Sequence, residues 1–231
     1  MALNKRKGNM YPFITHTWNP IKGECFHNCT YCYMKEIFKR FPKLQSYTSF
    51  SEKEMRTNLG KNNFIFVGSS NDIFSQNIKD EWIKKILHHC SNASHFENKF
   101  FFNSKNPGRV KDFKEDFPEN SIFCFTIESN RDYPEIYGYA PKPYVRFQSM
   151  LYFFPEKLQK MLTIEPILDF DLEEFSWMIE NIKPVQVNIG ADTGNNNLPE
   201  PSKEKITGLI KKLEDFKIKV VLKPNLKRLL K

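Results

Sequence analysis

Short apolar runs recur along the chain at Phe13–Thr17, Phe64–Gly68, Phe100–Ser104, Ile122–Ile127, Met161–Pro166, Val185–Ile189 and Lys219–Leu222. Most are apolar at successive positions, as a strand buried on both faces requires. The stretches between them space their apolar residues at helical intervals. They predict helices over Met34–Arg40, Asp80–Cys90, Pro107–Phe113, Val145–Phe153, Leu172–Asn181 and Lys203–Phe216. Start signals support several of these: acids in the first turn at Asp80-Glu81, Asn106 before Pro107, a capping-box-like Asp171-Leu-Glu-Glu, and Ser202 as a cap. Regular alternation of strand and helix implies parallel strands joined by right-handed crossovers. The expected fold is therefore α/β, a partial (β/α)6-type barrel with an extra C-terminal strand.

Barrels of this kind carry their chemistry on loops at the C-terminal ends of the strands, so the strand ends are where polar residues count. The second run ends Gly68-Ser69-Ser70-Asn71-Asp72, the third Ser104-Lys105-Asn106-Pro-Gly-Arg109, and the fourth Ile127-Glu128-Ser-Asn130. The fifth carries Glu165-Pro166, and the sixth ends Asn188-Ile-Gly190-Ala-Asp192-Thr-Gly194. Lys105 and Arg109 are cations suited to a carboxylate or phosphate. Cys124 points away from Phe123 and Phe125, which would turn it into the barrel interior if that is the face it occupies. Residues 41–63 and 131–143 give no clear element, and long loops in a compact domain are often lids or binding loops.

Composition adds limits. The 231 residues suit one domain, with a core over about 11–225, and 22 Phe supply a sizeable apolar interior. No apolar run is long enough to span a bilayer, and Met1 to Lys7 lacks the apolar segment of a signal peptide, so a cytoplasmic protein with no membrane partner is expected. The net charge of +8 is uneven. Residues 1–43 carry eight Lys/Arg against two acids and residues 203–231 ten against three, leaving the middle at −5. Two basic ends suit nucleic acid or another polyanion, although a lysine-rich solvated surface reads the same way.

Five cysteines, three of them within Cys25-Phe-His-Asn-Cys29-Thr-Tyr-Cys32, argue for a reducing compartment and against a disulfide framework. Three thiolates on one short loop can ligate three irons of a [4Fe-4S] cubane and leave the fourth open, whereas electron-transfer clusters normally take four. A zinc site usually shows two ligand pairs separated by a spacer, and this spacing has no such counterpart.

The C-x3-C-x2-C run, with Tyr31 just before its last cysteine, resembles the signature of the radical S-adenosylmethionine superfamily. Thr17-Trp18-Asn19-Pro20, Ser69-x-x-Asp72, Lys105-Asn-Pro, Glu128-Ser-Asn130, Glu165-Pro166 and Gly190-x-Asp192-x-Gly194 extend the likeness over residues 14 to 225. Together they are similar to a phage- and prokaryote-associated family of largely uncharacterised radical-SAM-like proteins. The resemblance implies a [4Fe-4S] cluster on Cys25, Cys29 and Cys32, with S-adenosylmethionine on the open iron. It also implies reductive cleavage to a 5'-deoxyadenosyl radical that abstracts a substrate hydrogen. Cofactor contacts are then expected from Tyr31, from the turn Gly68, Ser69, Ser70 and Asp72 where the superfamily has a Gly-Gly-Glu-type turn, and from Lys105. Glu128 would meet the ribose, and Asn188, Gly190 and Asp192 the adenine side. Glu165 and the candidate hydrogen donor Cys124 are the expected catalytic residues.

The implied partners are a one-electron reductant such as flavodoxin or ferredoxin, and a nucleic acid or nucleotide as substrate. The residues leave two alternatives open: a non-catalytic iron-sulfur module for electron transfer or sensing, and a zinc-stabilised nucleic-acid-binding domain.

Overall fold

A computed structural model describes residues 3–6, 10–156 and 158–231; Met1, Ala2 and Lys7 of the basic N-terminal run lie outside them. In chain order the strands are β1 (Asn4–Lys5), β2 (His16–Trp18), β3 (Ile21–Lys22), β4 (Ser49–Phe50), β5 (Phe64–Val67), β6 (Lys99–Ser104), β7 (Ser121–Thr126), β8 (Gln159–Ile164), β9 (Gln186–Ile189) and β10 (Lys219–Leu222). The α-helices are α1 (Tyr33–Arg40), α2 (Asp80–Ser94), α3 (Pro134–Tyr137), α4 (Pro143–Tyr152), α5 (Leu172–Ile182) and α6 (Lys203–Asp215). One sheet runs β1-β2-β5-β6-β7-β8-β9-β10, parallel throughout except for the antiparallel β1-β2 pair. Its strands follow chain order from one edge to the other, so each crossover returns to the neighbouring position. The sheet begins at β1 and ends at β10, which leaves the barrel open between them. The C-terminal strand is present as expected.

The uninterrupted apolar runs have their cause in two cores. On β6, Phe100 and Phe102 join the large core beneath the helices, while Phe101 faces the interior. On β7, Phe123 and Phe125 face the helices and Cys124 the interior. The inner cluster gathers Tyr11, Ile14, Phe66, Phe101, Cys124 and Met161. Burying an aromatic side chain contributes about 1.5–3 kcal/mol, so this inner packing fastens the N-terminal segment across the barrel.

Several expectations need correction. The first strand forms at His16–Trp18 rather than Phe13–Thr17. Tyr11 and Phe13 instead stack at 5.5 Å and press against Phe101, because their rings fill the interior better than an edge strand would. Pro107–Phe113 is a 3-10 helix, not an α-helix. Asn106 does not cap it; its amide donates to the Phe74 carbonyl, 3.0 Å away. Asp171 sits at the N-cap of α5 without a capping bond, since its carboxylate is taken by Arg131. Ser202 does cap α6, accepting from the Lys205 N–H. Residues 41–63 hold β4, which pairs with β3 in a small antiparallel ribbon. No helix among the described residues is long and apolar enough to cross a membrane.

Candidate functional site

Cys25, Cys29 and Cys32 sit on the loop that leaves β3 and enters α1, with Cys32 as the N-cap of that helix. Backbone turns closed by Asn28 N–H to the Cys25 carbonyl and Cys32 N–H to the Cys29 carbonyl, both 3.2 Å, fix the loop's shape. A second segment supports it from beneath. Thr30 N–H donates to the Ile136 carbonyl and Tyr139 N–H to the His27 carbonyl, each at 2.9 Å, and the Cys29 thiol donates to the Tyr137 carbonyl at 3.4 Å. Gly138 makes this approach feasible: at φ +63°, a side-chain carbon there would lie 2.2 Å from the His27 oxygen. The loop 131–143 is therefore neither a free lid nor inert surface; it is the floor of the cysteine loop.

All three cysteines line one cavity of about 910 Å³ at the C-terminal ends of the strands. Burial and then the Asp72 charge push the Cys25 thiol up to about 12. Burial also raises Cys29, with Lys105 opposing. Unligated, Cys25 and Cys29 keep their protons at neutral pH; bound iron would remove them. Among the described residues, no three His, Cys, Asp or Glu side chains form the shell of a single metal ion. A tetrahedral zinc–thiolate shell draws its sulfurs to roughly 3.8 Å apart at a bond length of about 2.3 Å. A cubane puts each thiolate on a different iron and needs them further apart. The donor set, three thiols on one cavity wall, fits a three-cysteine cluster.

Opposite this loop is the turn after β5. Gly68 adopts φ +78°. Asn19 accepts from the Ser69 hydroxyl at 3.1 Å and the Ser70 N–H at 3.0 Å, and Tyr33 on α1 donates to the Ser69 carbonyl at 2.6 Å. Gly68, Ser69, Ser70 and Asp72 all line the cavity. Asp72 accepts from Ser104 Oγ and Phe74 N–H at 2.9 Å and Lys105 N–H at 2.8 Å, and meets His27 Nε2 at 2.9 Å. Burial opposes its charge, but His27 and these donors outweigh it and hold the carboxyl below its ordinary value. Asp72 thus ties the turn to the end of β6 and to the cysteine loop. His27, which the sequence did not single out, is buried and leaves Nδ1 without a partner among the described residues.

Glu128 is buried beside the cavity and does not line it. Arg146 of α4 donates to one carboxylate oxygen at 2.7 Å, and Tyr31 donates to the other. Lys105 Nζ lies 3.6 Å from that second oxygen and above the Tyr31 ring. Arg146 also donates to the Thr126 carbonyl at 2.9 Å and the Pro141 carbonyl at 2.6 Å. Burial alone would lower the Lys105 ammonium, yet Glu128 overrides it and keeps the lysine charged. Lys105 lines the cavity with Tyr31, so Glu128 reaches the site through those two residues. Arg109 turns away: its guanidinium holds the Ser75 and Ile78 carbonyls and Asp80.

Deeper in the barrel, Glu165 is bound by Lys223, which follows β10, and accepts from the Asn225 amide at 2.9 Å. Gly190 leaves room for this carboxylate: a side-chain carbon there would lie 2.6 Å from Glu165 Oε1. Glu165, Lys223 and Asp192 line the cavity. Asp192 also shapes its own loop, accepting from Gly194 N–H at 3.0 Å and the Asn196 amide at 2.7 Å. Asn188 accepts from Gln186 at 2.7 Å and lines a neighbouring cavity of about 620 Å³ on the open side of the barrel. Cys124 is fully buried 3.9 Å from the Tyr11 hydroxyl, and burial pushes its thiol up to about 12. Asn103, also on the interior face, lines the main cavity, its carbonyl oxygen unpartnered among the described residues. The sequence reading missed Arg146, Lys223, Asn225 and Asn103; only Lys223, at the end of an expected strand, carried a positional signal.

The fold is similar to that of spore photoproduct lyase, a radical S-adenosylmethionine enzyme. Its structure complexed with dinucleoside spore photoproduct matches with a TM-score of 0.65 at 11% identity, over 94% of this chain and 78% of that one. A mutant of that enzyme with bound AdoMet and dinucleoside spore photoproduct gives 0.64 at 11% identity, over 96% and 80%. No curated protein matches the sequence. Residues 10–182, from the interior plug through the cysteine loop to the end of α5, match one family, and the chain belongs to it: the family described as protein of unknown function DUF5131.

Proposed function

We propose that this chain is a radical S-adenosylmethionine enzyme, with Cys25, Cys29 and Cys32 holding a [4Fe-4S] cluster and S-adenosylmethionine bound beside it. Once bound and reduced, that pair supplies a 5'-deoxyadenosyl radical able to take a hydrogen atom from a substrate. One observation carries the reading: three cysteines on a braced loop share a single cavity, at the C-terminal ends of parallel strands, with the charged Lys105 and Glu165–Lys223.

The chain's own groups divide the work. Lys105, kept cationic by Glu128, offers a partner for a carboxylate on the cofactor. Gly68, Ser69 and Ser70 present backbone and hydroxyl groups, and Asp72 holds that turn against the cysteine loop. Asp192 borders the cavity on the far side, with Asn188 on β9 and Gly190 just past that strand's end. Glu165 orients the substrate from the interior, and Cys124, protonated and buried, is the candidate hydrogen donor. A flavodoxin- or ferredoxin-like reductant would deliver the electron. The substrate favoured is a nucleic acid or nucleotide, supported by the basic ends of the chain and by the dinucleoside spore photoproduct bound to the structurally similar lyase.

Anaerobic reconstitution with iron and sulfide, then dithionite and S-adenosylmethionine, tests the chemistry by chromatography for 5'-deoxyadenosine. Production is expected from the native chain and none from Cys29→Ala, with the variant still folded by circular dichroism. Equal production from both would remove the cysteine assignment, and none from either the whole proposal.

A further inference from the structure

Nine consecutive residues, Lys39-Arg40-Phe41-Pro42-Lys43-Leu44-Gln45-Ser46-Tyr47, are all exposed and form a strap from the end of α1 back to the cavity, where Tyr47 and Thr48 line the mouth. The strap interleaves three cations with two aromatic rings and contains no acid; none occurs between Glu36 and Glu52. Tyr47 is 96% exposed and Phe41 59%. Lys39 pairs with Glu36 at 2.5 Å, while Arg40 and Lys43 form no ion pair among the described residues. The strap's end lies beside the cysteine loop, Glu24 N–H donating to the Ser46 carbonyl at 2.9 Å, and two residues on, Phe26 packs on Tyr139, their rings 5.5 Å apart, with Tyr139 still 70% exposed. Rings this exposed keep surface available to another planar group.

We infer that this rim is a docking surface for single-stranded nucleic acid, with bases stacking on Tyr47 and Tyr139 and phosphates following Arg40 and Lys43. Aromatic platforms beside unpaired cations are how such strands are held without reading sequence. A duplex keeps its base faces stacked internally and cannot use the rings, so the chemistry selects the single strand. A strand held there presents one base to the 910 Å³ cavity, where the unpartnered Asn103 carbonyl can accept from a base edge. The inference rests on the proposed radical chemistry only in making the docked strand the substrate; the docking itself stands without it.

Fluorescence anisotropy with labelled oligo-dT, oligo-rU and a duplex of equal length tests this on the anaerobically reconstituted protein. Either single strand should bind at least tenfold more tightly than the duplex. Tyr47→Ala and Tyr139→Ala should each weaken single-strand binding about 5- to 150-fold, the range of one lost stacking contact. Arg40→Gln with Lys43→Gln should flatten the dependence of log affinity on log salt by about 1.4, at about 0.7 per phosphate contact. Tyr152→Ala, about as exposed as Tyr139 but at the last turn of α4 and so at the opposite end of the barrel, should change neither. Duplex binding as tight as single-strand binding, no binding at low salt, or the same loss in Tyr152→Ala as in Tyr47→Ala would overturn the inference. So would self-association that Tyr47→Ala and Tyr139→Ala abolish, since the rim would then belong to a second copy. Docking without 5'-deoxyadenosine would leave this inference standing and remove the radical reading; 5'-deoxyadenosine without docking would do the reverse.

Discussion

Arg146→Met isolates the buried charge that braces the cysteine loop. The native guanidinium is fully buried, pairs with Glu128 at 2.7 Å and holds two backbone carbonyls, one at the end of β7 and one in the loop under the cysteines. Methionine keeps much of the apolar volume and removes every donor. Breaking one side of a buried ion pair costs about 3–5 kcal/mol, because the other charge stays buried. With a urea dependence of about 3 kcal/mol/M, the unfolding midpoint should fall by roughly 1–1.7 M at pH 7.5. The pH dependence has a definite sign. In the native chain burial pushes the Glu128 carboxyl up, but Arg146, then Lys105 and Tyr31, outweigh it and hold it below its ordinary value. Its stabilising share is therefore present above an unfolded value of about 4.3 and is lost as pH falls through the folded value. Without Arg146, burial dominates and the carboxyl rises, so acidification neutralises a charge that was destabilising. The deficit of the variant should shrink between pH 7.5 and pH 5, and Glu128→Gln added to Arg146→Met should recover part of it. Urea titrations under anaerobic conditions at matched iron content measure this. A deficit below about 1 kcal/mol at pH 7.5, or one that does not change down to pH 5, would refute the reasoning.

Gly138→Ala should displace the cysteine loop, because relief of the 2.2 Å approach to the His27 carbonyl requires the two segments to part. The expected result is a loss of about 1–3 kcal/mol from the strained positive-φ backbone alone and a fall in reconstituted iron per chain. Lys223→Met removes the cation beside Glu165 and should cost about 1.5–3 kcal/mol, read by thermal melting; an unchanged midpoint would mean that the pair contributes nothing. Asn103→Leu replaces an amide whose buried oxygen has no partner and should raise stability by about 1 kcal/mol, while a drop would show that the amide is satisfied in solution.

The order of strands and helices was legible because each crossover is local: an apolar run followed by a helical period needs no knowledge of distant residues. The cysteine run and the polar strand ends were legible for the same reason, each being a short motif at a position the fold class defines. What escaped were partnerships across long separations. Arg146 looks like an ordinary helix residue until α4 is laid against β7, and Lys223 acquires its meaning only when β10 brings it to Glu165, 58 positions earlier. Phe13 was misread because its apolar run suits a strand, and only the unfilled interior makes it, with Tyr11, a plug. Glu128 was assigned a ribose, but both its oxygens are taken by Arg146, Tyr31 and Lys105.

The floor beneath the cysteines comes late in the chain. More than a hundred residues separate Cys32 from Tyr139, so a chain emerging from the ribosome displays three thiols long before the segment that braces them has been made. At ordinary rates of synthesis the interval is roughly 5–20 s. During that window the thiols have no built pocket and are open to any oxidant or stray metal. Were those thiols to take up iron as proposed, loading on a braced loop would follow synthesis of about the first three-fifths of the chain, because the loop has no floor until Tyr139 has been made.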